Sequence, residues 1–196
     1  MNRYEENLFI FQYGLVPKKI FVDNAMLTIT DRYLPILTSM FMHGGFMHIL
    51  GNMYFLFIFC DNIEDKLGHV KYFFIYLMFG LAAAMTQVIM FPDSVMPMVG
   101  ASGAVAGVMG AYLIFFPKAK VKTLVIIIIF ITVMDIPAVV FLLLWFGFQF
   151  LNGTGGGGGN VAWWANIGGF IAGLTYAVYF LRKKRAVKPA EPYTLN

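Results

Sequence analysis

The sequence has little charge for its length. Charged residues make up only 12% of its 196 residues, whereas 60% are hydrophobic and the mean hydropathy is +0.75. A soluble domain of this size needs a more polar composition, because its folded surface must be solvated. The composition therefore excludes a soluble globular protein and predicts a polytopic membrane protein. The net charge of +4 is attributed to membrane topology, and no nucleic-acid partner is expected.

Cysteine, metal ligands and targeting signals are scarce as well. The single cysteine, Cys60, excludes an intramolecular disulfide, and we expect it to pack against lipid or a neighbouring helix. The sequence contains no metal-ligand cluster and no cofactor motif, so neither a metal nor a cofactor is expected. A short apolar run at residues 8–16 lacks the basic start and the cleavage site of a signal peptide. This run is also too short to cross a bilayer.

Long hydrophobic runs dominate the rest of the chain. About 20 apolar residues are needed to cross the core of a bilayer. Five runs meet or approach this length, at residues 46–60, 72–91, 100–116, 123–150 and 161–181. The first run is the shortest, and it carries His48 and Asn52. These runs predict an all-α, polytopic membrane helical bundle with about five transmembrane helices.

Two of the loops between these runs contain no lysine or arginine. They are residues 92–99 and 152–160, whereas ten of the fourteen basic residues lie in 61–71, 117–122 and the tail after Leu181. Basic residues accumulate on the cytoplasmic side of a membrane. The C-terminus is therefore expected in the cytoplasm and the two loops on the outer side. The basic run at 182–185 is interpreted as a topological anchor, with lipid recognition as the alternative.

Glycines line one face of two of the predicted helices. Ser102 begins one run and is followed by glycines at positions 103, 107 and 110, while Gly169 and Gly173 follow Asn166 in the last run. Spacings of three and four residues place such glycines on one helix face, where a partner helix can approach closely. Docking of the two faces would bring Ser102 and Asn166 within hydrogen-bond reach. Glycine faces alone indicate packing more often than chemistry.

His48 and Asn52 are four residues apart, so on a helix they project from one face. Both side chains can donate a hydrogen bond. Two donors directed at one point can form an oxyanion hole for a tetrahedral acyl intermediate. The alternative is that the two side chains satisfy each other or a loop carbonyl.

The combination of three motifs resembles the rhomboid family of intramembrane serine proteases. The motifs are His-x3-Asn at 48–52, Gly-x-Ser-Gly at 100–103 and Ala-x-Ile-Gly-Gly at 165–169, and the resemblance extends from residue 13 to 185, including Gly-Leu-Val-Pro at 14–17. It divides the chain into an N-terminal segment and outer loop (1–45), a transmembrane core (46–185) and a cytoplasmic tail (186–196). The span that precedes Gly14 in the common six-helix form is expected to be missing here.

The resemblance implies a role for each candidate residue. Ser102 matches the nucleophile, His48 and Asn52 match the oxyanion donors, and Asn166 occupies the position of the general base, which is a histidine in the family. His43 matches a histidine of the first outer loop with a more structural role. Gly169 and Gly173 match the glycines that let the base helix approach the serine helix.

Asparagine cannot hold the proton of a serine hydroxyl at neutral pH, whereas imidazole can. We therefore predict a rhomboid-type serine endopeptidase for single-pass transmembrane substrates that is strongly impaired, because loss of one member of such a unit costs about 10⁴–10⁶ in rate. The alternative is a catalytically dead protein that binds transmembrane helices. A channel or transporter is disfavoured, since no inverted pair of broken helices is evident.

Some residues allow two interpretations. Asp135, which precedes Ile136 and Pro137, is either part of a substrate gate or a partnered polar residue at a proline kink. Trp163 and Trp164 are interfacial anchors or shape the substrate site. The glycine-rich loop at 155–159 is a mobile active-site loop or a simple connection. Glu64, near Lys66, is expected in a structural polar network.

Overall fold

The computed structural model describes residues 2–22, 26–127, 130–155 and 161–186. Most of the predicted glycine-rich loop (155–159) and of the predicted tail (186–196) lies outside these residues. The described chain forms short N-terminal helices, then longer apolar helices and one β-hairpin. The elements are α1 (Arg3–Tyr13), α2 (Pro17–Phe21), α3 (Ile29–Thr38), a 3-10 turn (Ser39–Phe41), α4 (Phe46–Leu67), α5 (His69–Met90), α6 (Ser102–Phe115), β1 (Lys120–Ile127), β2 (Phe130–Pro137), α7 (Ala138–Thr154) and α8 (Trp163–Ala186).

Three helices in the described residues are long and apolar enough to cross a membrane. They are α4, α5 and α8, while α6 and α7 are shorter apolar helices. The predicted helical membrane bundle is therefore confirmed. Of its five predicted spans, three have full-length helical counterparts and two correspond to the shorter helices α6 and α7.

Helix α6 forms the centre of the bundle and packs against α4, α5, α7 and α8. Every residue from Gly103 to Tyr112 is buried. The glycine faces of α6 and α8 meet as predicted: a Cβ added at Gly169 would overlap the carbonyl oxygen of Gly103, and one at Gly173 would overlap that of Gly107. The contact between these two helices is therefore made largely by backbone atoms, which only glycine permits.

The N-terminal segment holds the loop that leads into α6. Leu15 is fully buried and forms an antiparallel bridge with Met98, with backbone N···O distances of 2.9 and 2.8 Å. The amide of Gly100 donates to the carbonyl oxygen of Ser39 at 2.9 Å. The hydroxyl of Thr38 donates to the carbonyl oxygen of Tyr13 at 2.7 Å. These bonds fix the backbone immediately before Ser102.

The segment 61–71, between the first two predicted runs, is helical except at Gly68. Helix α4 continues to Leu67, and α5 begins at His69 after a single glycine, Gly68, whose φ of +82° reverses the chain at no steric cost. The helix extends beyond the apolar run that ends at Cys60, because charged side chains at a membrane boundary can be solvated while the backbone remains helical.

Glu64 lies in a polar network, with partners that differ from those expected. One carboxylate oxygen lies 2.6 Å from Nδ1 of His69, and the other accepts from the thiol of Cys60 at 3.7 Å. Lys66 instead directs its Nζ over the rings of Phe115 and Phe116, at 5.0 and 5.2 Å from their centroids. The ammonium points toward α6 because its aromatic end offers a cation–π contact there.

The predicted continuous helix at 123–150 is wrong. Residues 120–127 and 130–137 pair as the two antiparallel strands of the hairpin, with Lys122 opposite Asp135, and α7 begins only at Ala138, directly after Pro137. This stretch is rich in β-branched isoleucine and valine, which fit a strand at least as well as a helix. The hairpin contradicts the interpretation of Asp135 as a residue at a proline kink inside a helix, whereas a part in a substrate gate stays a prediction. The fold departs from a purely helical bundle at this point.

Candidate active site

His48 lies in the first turn of α4, beside the loop that precedes Ser102. Its Nδ1 accepts a hydrogen bond from the amide of Gly44 at 3.4 Å, so in the neutral ring the proton is on Nε2. The Nε2 edge lies against Gly100: a Cβ added there would be 2.7 Å from both Cε1 and Nε2. Gly100 has a φ of +131°, which disfavours any other residue. The Nε2 edge of His48 therefore lies beside Gly100, which is two positions before Ser102 in the chain.

Asn52 lies one turn further along α4 and is buried. Its Nδ2 donates to the carbonyl oxygen of His48 at 3.0 Å. This bond satisfies one of the two amide hydrogens and leaves the second available to another acceptor. The two side chains do not bond to each other, in contrast to one of the alternatives raised by the sequence.

His43 lies in the loop before α4 and contacts His48. The two ring centroids are 5.3 Å apart with the rings nearly perpendicular. Burial, and secondarily the neighbouring His48, lowers the pKa of His43 below its usual value, so its ring is neutral at pH 7. Its Nε2 is buried without a hydrogen-bond partner in the described part of the chain.

Ser102 is the first residue of α6 and is half-buried. The next residue, Gly103, lies against α8, where an added Cβ would be 3.5 Å from the carbonyl oxygen of Ala165 and where the backbone meets Gly169. Ala165 and Gly169 lie on either side of Asn166 in the chain. The packing of α6 on α8 thus brings Ser102 to the level of Asn166.

Asn166 is only 4% exposed, and its hydrogen bond is made to α7. Its Nδ2 donates to Oε1 of Gln149 at 2.8 Å, and Gln149 is itself 5% exposed. The Oδ1 of Asn166 is buried and has no partner among the described residues. The expected hydrogen bond between Ser102 and Asn166 is not formed in this part of the structure.

Sequence reasoning missed Gln149. The available signal was one amide in the otherwise apolar run 138–151, because an isolated polar residue at membrane depth needs a partner. Which residue pairs with Gln149 depends on how α7 is rotated about its axis against α8, and the sequence does not give this rotation.

Trp163 and Trp164 join the start of α8 to the end of α7. Nε1 of Trp164 donates to the carbonyl oxygen of Gly153 at 3.1 Å. The ring of Trp163 packs edge-on against Phe148, with centroids 5.8 Å apart. Both tryptophans thus close the corner between these helices at the level of Asn166.

The assembled residues provide the hydroxyl of Ser102 on α6 and two hydrogen-bond donors on α4. Position 166 provides an amide, which has no basic lone pair near neutral pH. Within the described ranges, no group of three or more histidine, cysteine, aspartate or glutamate residues is placed to hold a metal ion. The two donors can stabilise negative charge near Ser102, and the amide at position 166 cannot accept the serine proton.

Comparison with known proteins gives partial matches to rhomboid proteins. The chain is 35% identical over 78 residues to the RHOMBOID-like protein 6, mitochondrial, of Arabidopsis thaliana. It is 32% identical over 81 residues to the inactive rhomboid protein 1 of Drosophila melanogaster and over 78 residues to the putative rhomboid protease YdcA of Bacillus subtilis. Each match covers 40–41% of this chain, and the matches cover 25%, 6% and 39% of these relatives.

The family model of the rhomboid domain covers more of the chain than these pairwise matches. It matches residues 30–183, which include α4 to α7 and nearly all of α8, and with them Ser102, His48 and Asn166. The matched region contains the central helix α6 and its backbone contact with α8. With its apolar helices, this chain is an integral membrane protein that belongs to the rhomboid family.

Proposed function

We propose that this chain carries a rhomboid-type intramembrane serine endopeptidase site in which Asn166 replaces the general base. Ser102 is the nucleophile, His48 and Asn52 are the oxyanion donors, and the substrates are single-pass transmembrane proteins. The observation that carries the proposal is the buried Asn166 amide at the level of Ser102, hydrogen-bonded to Gln149.

The missing step is proton transfer. When Ser102 attacks a peptide carbonyl, its proton must move to a base and then to the leaving amine. Asn166 can do neither, since an amide is not protonated at neutral pH and its Nδ2 is already bonded to Gln149. Cleavage is therefore slower by about 10⁴–10⁶ than in a chain with histidine at this position.

The proposed oxyanion site is supported by the position of His48. Its Nδ1 accepts from Gly44, which directs the N–H of the opposite ring edge toward Gly100 and the start of α6. A donor placed at this point stabilises the negative charge that develops on the carbonyl oxygen during attack. The second hydrogen of the Asn52 amide supplies another donor on the same helix face.

The proposed site faces the outer side of the membrane, and the C-terminus lies in the cytoplasm. The last turn of α8 carries Lys183, Lys184 and Arg185, which favour the cytoplasmic side. Asn166 lies at the opposite end of the same helix, and the loop before Ser102 contains no basic residue.

A second candidate function is a catalytically dead protein that binds transmembrane helices. The Gln149–Asn166 bond favours it, because the amide at position 166 is held by a matched partner. One relative is also an inactive rhomboid protein by name. In this alternative the same site binds a transmembrane helix and never cuts it.

Restoring the base separates the two candidates. Purified Asn166→His protein is expected to cleave a single-pass transmembrane substrate, and Ser102→Ala in that background is expected to abolish cleavage. The measurement is product formation in detergent micelles and in proteoliposomes. If Asn166→His remains folded, binds the substrate helix and still releases no product, the endopeptidase proposal is wrong and the helix-binding function stands.

A further inference from the structure

Gln149 occupies an unusual position on α7. It is 5% exposed, and the residues directly before and after it, Phe148 and Phe150, are aromatic. A buried amide in such surroundings is costly unless it is hydrogen-bonded. Its side-chain oxygen accepts a hydrogen bond from Nδ2 of Asn166 at 2.8 Å, which joins α7 to α8. The free-energy cost of burying the Gln149 amide is thus offset by a hydrogen bond that the side chain at position 166 donates.

This bond also fixes the orientation of the Asn166 amide. Because Nδ2 is directed at α7, Oδ1 on the same carbon points away from Gln149. That oxygen is buried and has no partner among the residues that the structure describes. On α8, Asn166 lies between the two residues that contact Gly103, which is next to Ser102. Oδ1 of Asn166 is therefore not bonded to α7, and Asn166 lies on the part of α8 that packs on α6.

We propose that Gln149 is a positioning residue for the side chain at position 166. Nδ2 of asparagine and Nδ1 of histidine are both bonded to Cγ, so histidine at this position can donate Nδ1–H to Gln149. That bond fixes the tautomer whose Nε2 lone pair faces Ser102, as an orienting group does in catalytic triads. In the chain as it stands, the same acceptor holds the asparagine amide. The inference rests on the proposed function for its catalytic consequence only.

The kinetic test uses the Asn166→His protein as parent. Gln149→Leu keeps the approximate volume but removes the acceptor, and it is expected to lower kcat by about 10–100-fold, as loss of an orienting partner does at other sites. The KM is expected to stay within about twofold, since Gln149 is buried and acts through residue 166. Gln149→Glu retains an acceptor and is expected to recover most of the lost kcat.

A matched control is available on the same helix. Asn152 donates only within α7, to the carbonyl oxygen of Phe148 at 2.8 Å. Asn152→Leu is therefore expected to leave kcat unchanged. An unchanged kcat in Gln149→Leu, or an equal loss in Gln149→Leu and Gln149→Glu, would overturn the inference.

A second measurement does not depend on proteolysis. Thermal unfolding is compared for the unmodified chain, Gln149→Leu, Asn166→Leu and the double variant. Coupled side chains are expected to give midpoint shifts that do not add, because the first substitution already removes the bond. Additive shifts would overturn the inference. If Asn166→His cleaves nothing while the shifts are non-additive, the proposed function fails and the positioning contact stands.

Discussion

At the scale of single residues, the chemistry of the site depends on how His48 is held. The imidazole lies between the amide of Gly44 and the backbone of Gly100, so both neighbours are glycines. At Gly100 two requirements coincide: a φ of +131° and the absence of a Cβ that would collide with the ring. The position of the proposed oxyanion donor is thus set by backbone geometry.

Gly100→Ala is expected to displace His48. In the Asn166→His protein this change is expected to lower kcat by about 10²–10³, the usual cost of losing one oxyanion donor. Gly45→Ala is the control, because Gly45 also has a positive φ, of 155°, but nothing lies within 4 Å of an added Cβ. Substrate cleavage and thermal midpoints are measured for both. Equal losses in the two variants would show that backbone strain alone is responsible.

The sequence predicted most of the candidate site at this scale. His48, Asn52, Ser102 and Asn166 were identified from motif spacing, and the glycine faces placed the last two at one level. The partner of Asn166 was not predicted. Gln149 lies 17 residues earlier, and its contact depends on how α7 turns against α8, which no local pattern records. The contact between Glu64 and His69 was not predicted either, because it depends on how α5 turns back on α4 after Gly68.

At the scale of elements, the α6–α8 contact brings two helix backbones together through glycines. A Cβ added at Gly107 of α6 would overlap Phe79 of α5, and one added at Gly173 of α8 would overlap main-chain atoms of Gly107. Close backbone approach of this kind increases van der Waals packing between membrane helices, where little hydrophobic driving force exists.

Gly173→Ala is expected to lower the free energy of unfolding by about 1–3 kcal/mol, because the added methyl group overpacks the contact with Gly107. Gly147→Ala is the matched control, since Gly147 lies inside helix α7 with nothing within 4 Å of an added Cβ. Its effect is expected to stay within about 0.5 kcal/mol. Thermal unfolding in detergent measures both. A destabilisation of similar size in both variants would contradict the role assigned to the glycine faces.

The β-hairpin marks where prediction of the elements failed. Hydropathy identified the other apolar helices, because length and composition suffice for them. Residues 123–137 are apolar, and a short apolar run does not distinguish a strand from a helix by its periodicity. Pro137 was interpreted as a kink inside a helix, whereas it precedes the first residue of α7. The β-branched content was the signal that favoured a strand.

A cross-link tests the hairpin directly. In a Cys60→Ala background, Lys122→Cys and Asp135→Cys are expected to form a disulfide on oxidation, because paired antiparallel residues have Cα atoms about 4.5–5.5 Å apart. In a continuous helix the same residues would be about 20 Å apart. Lys120→Cys with Asp135→Cys, two residues out of register, is the control. Mobility on a non-reducing gel is the readout, and the absence of the first cross-link would contradict the hairpin.

At the scale of the whole molecule, the distribution of basic residues predicts the orientation in the membrane. A fluorescent protein fused to the C-terminus is expected to fluoresce, and alkaline phosphatase at the same point is expected to be inactive, because the end of α8 is proposed to be cytoplasmic. Alkaline phosphatase inserted after Asp93 is expected to be active. The opposite pattern in these fusions would contradict the proposed orientation of the site.

The backbone contact between α6 and α8 has a consequence for how this protein can change. Its geometry is defined by main-chain atoms of glycines 103, 107, 169 and 173, so it does not depend on which side chains occupy positions 102 and 166. Catalytic ability and architecture are therefore determined by separate sets of residues. A single codon change at position 166 can remove or restore the base while the donors on α4 and the helix spacing persist. The loss of function that we propose for Asn166 is, in this sense, a reversible one.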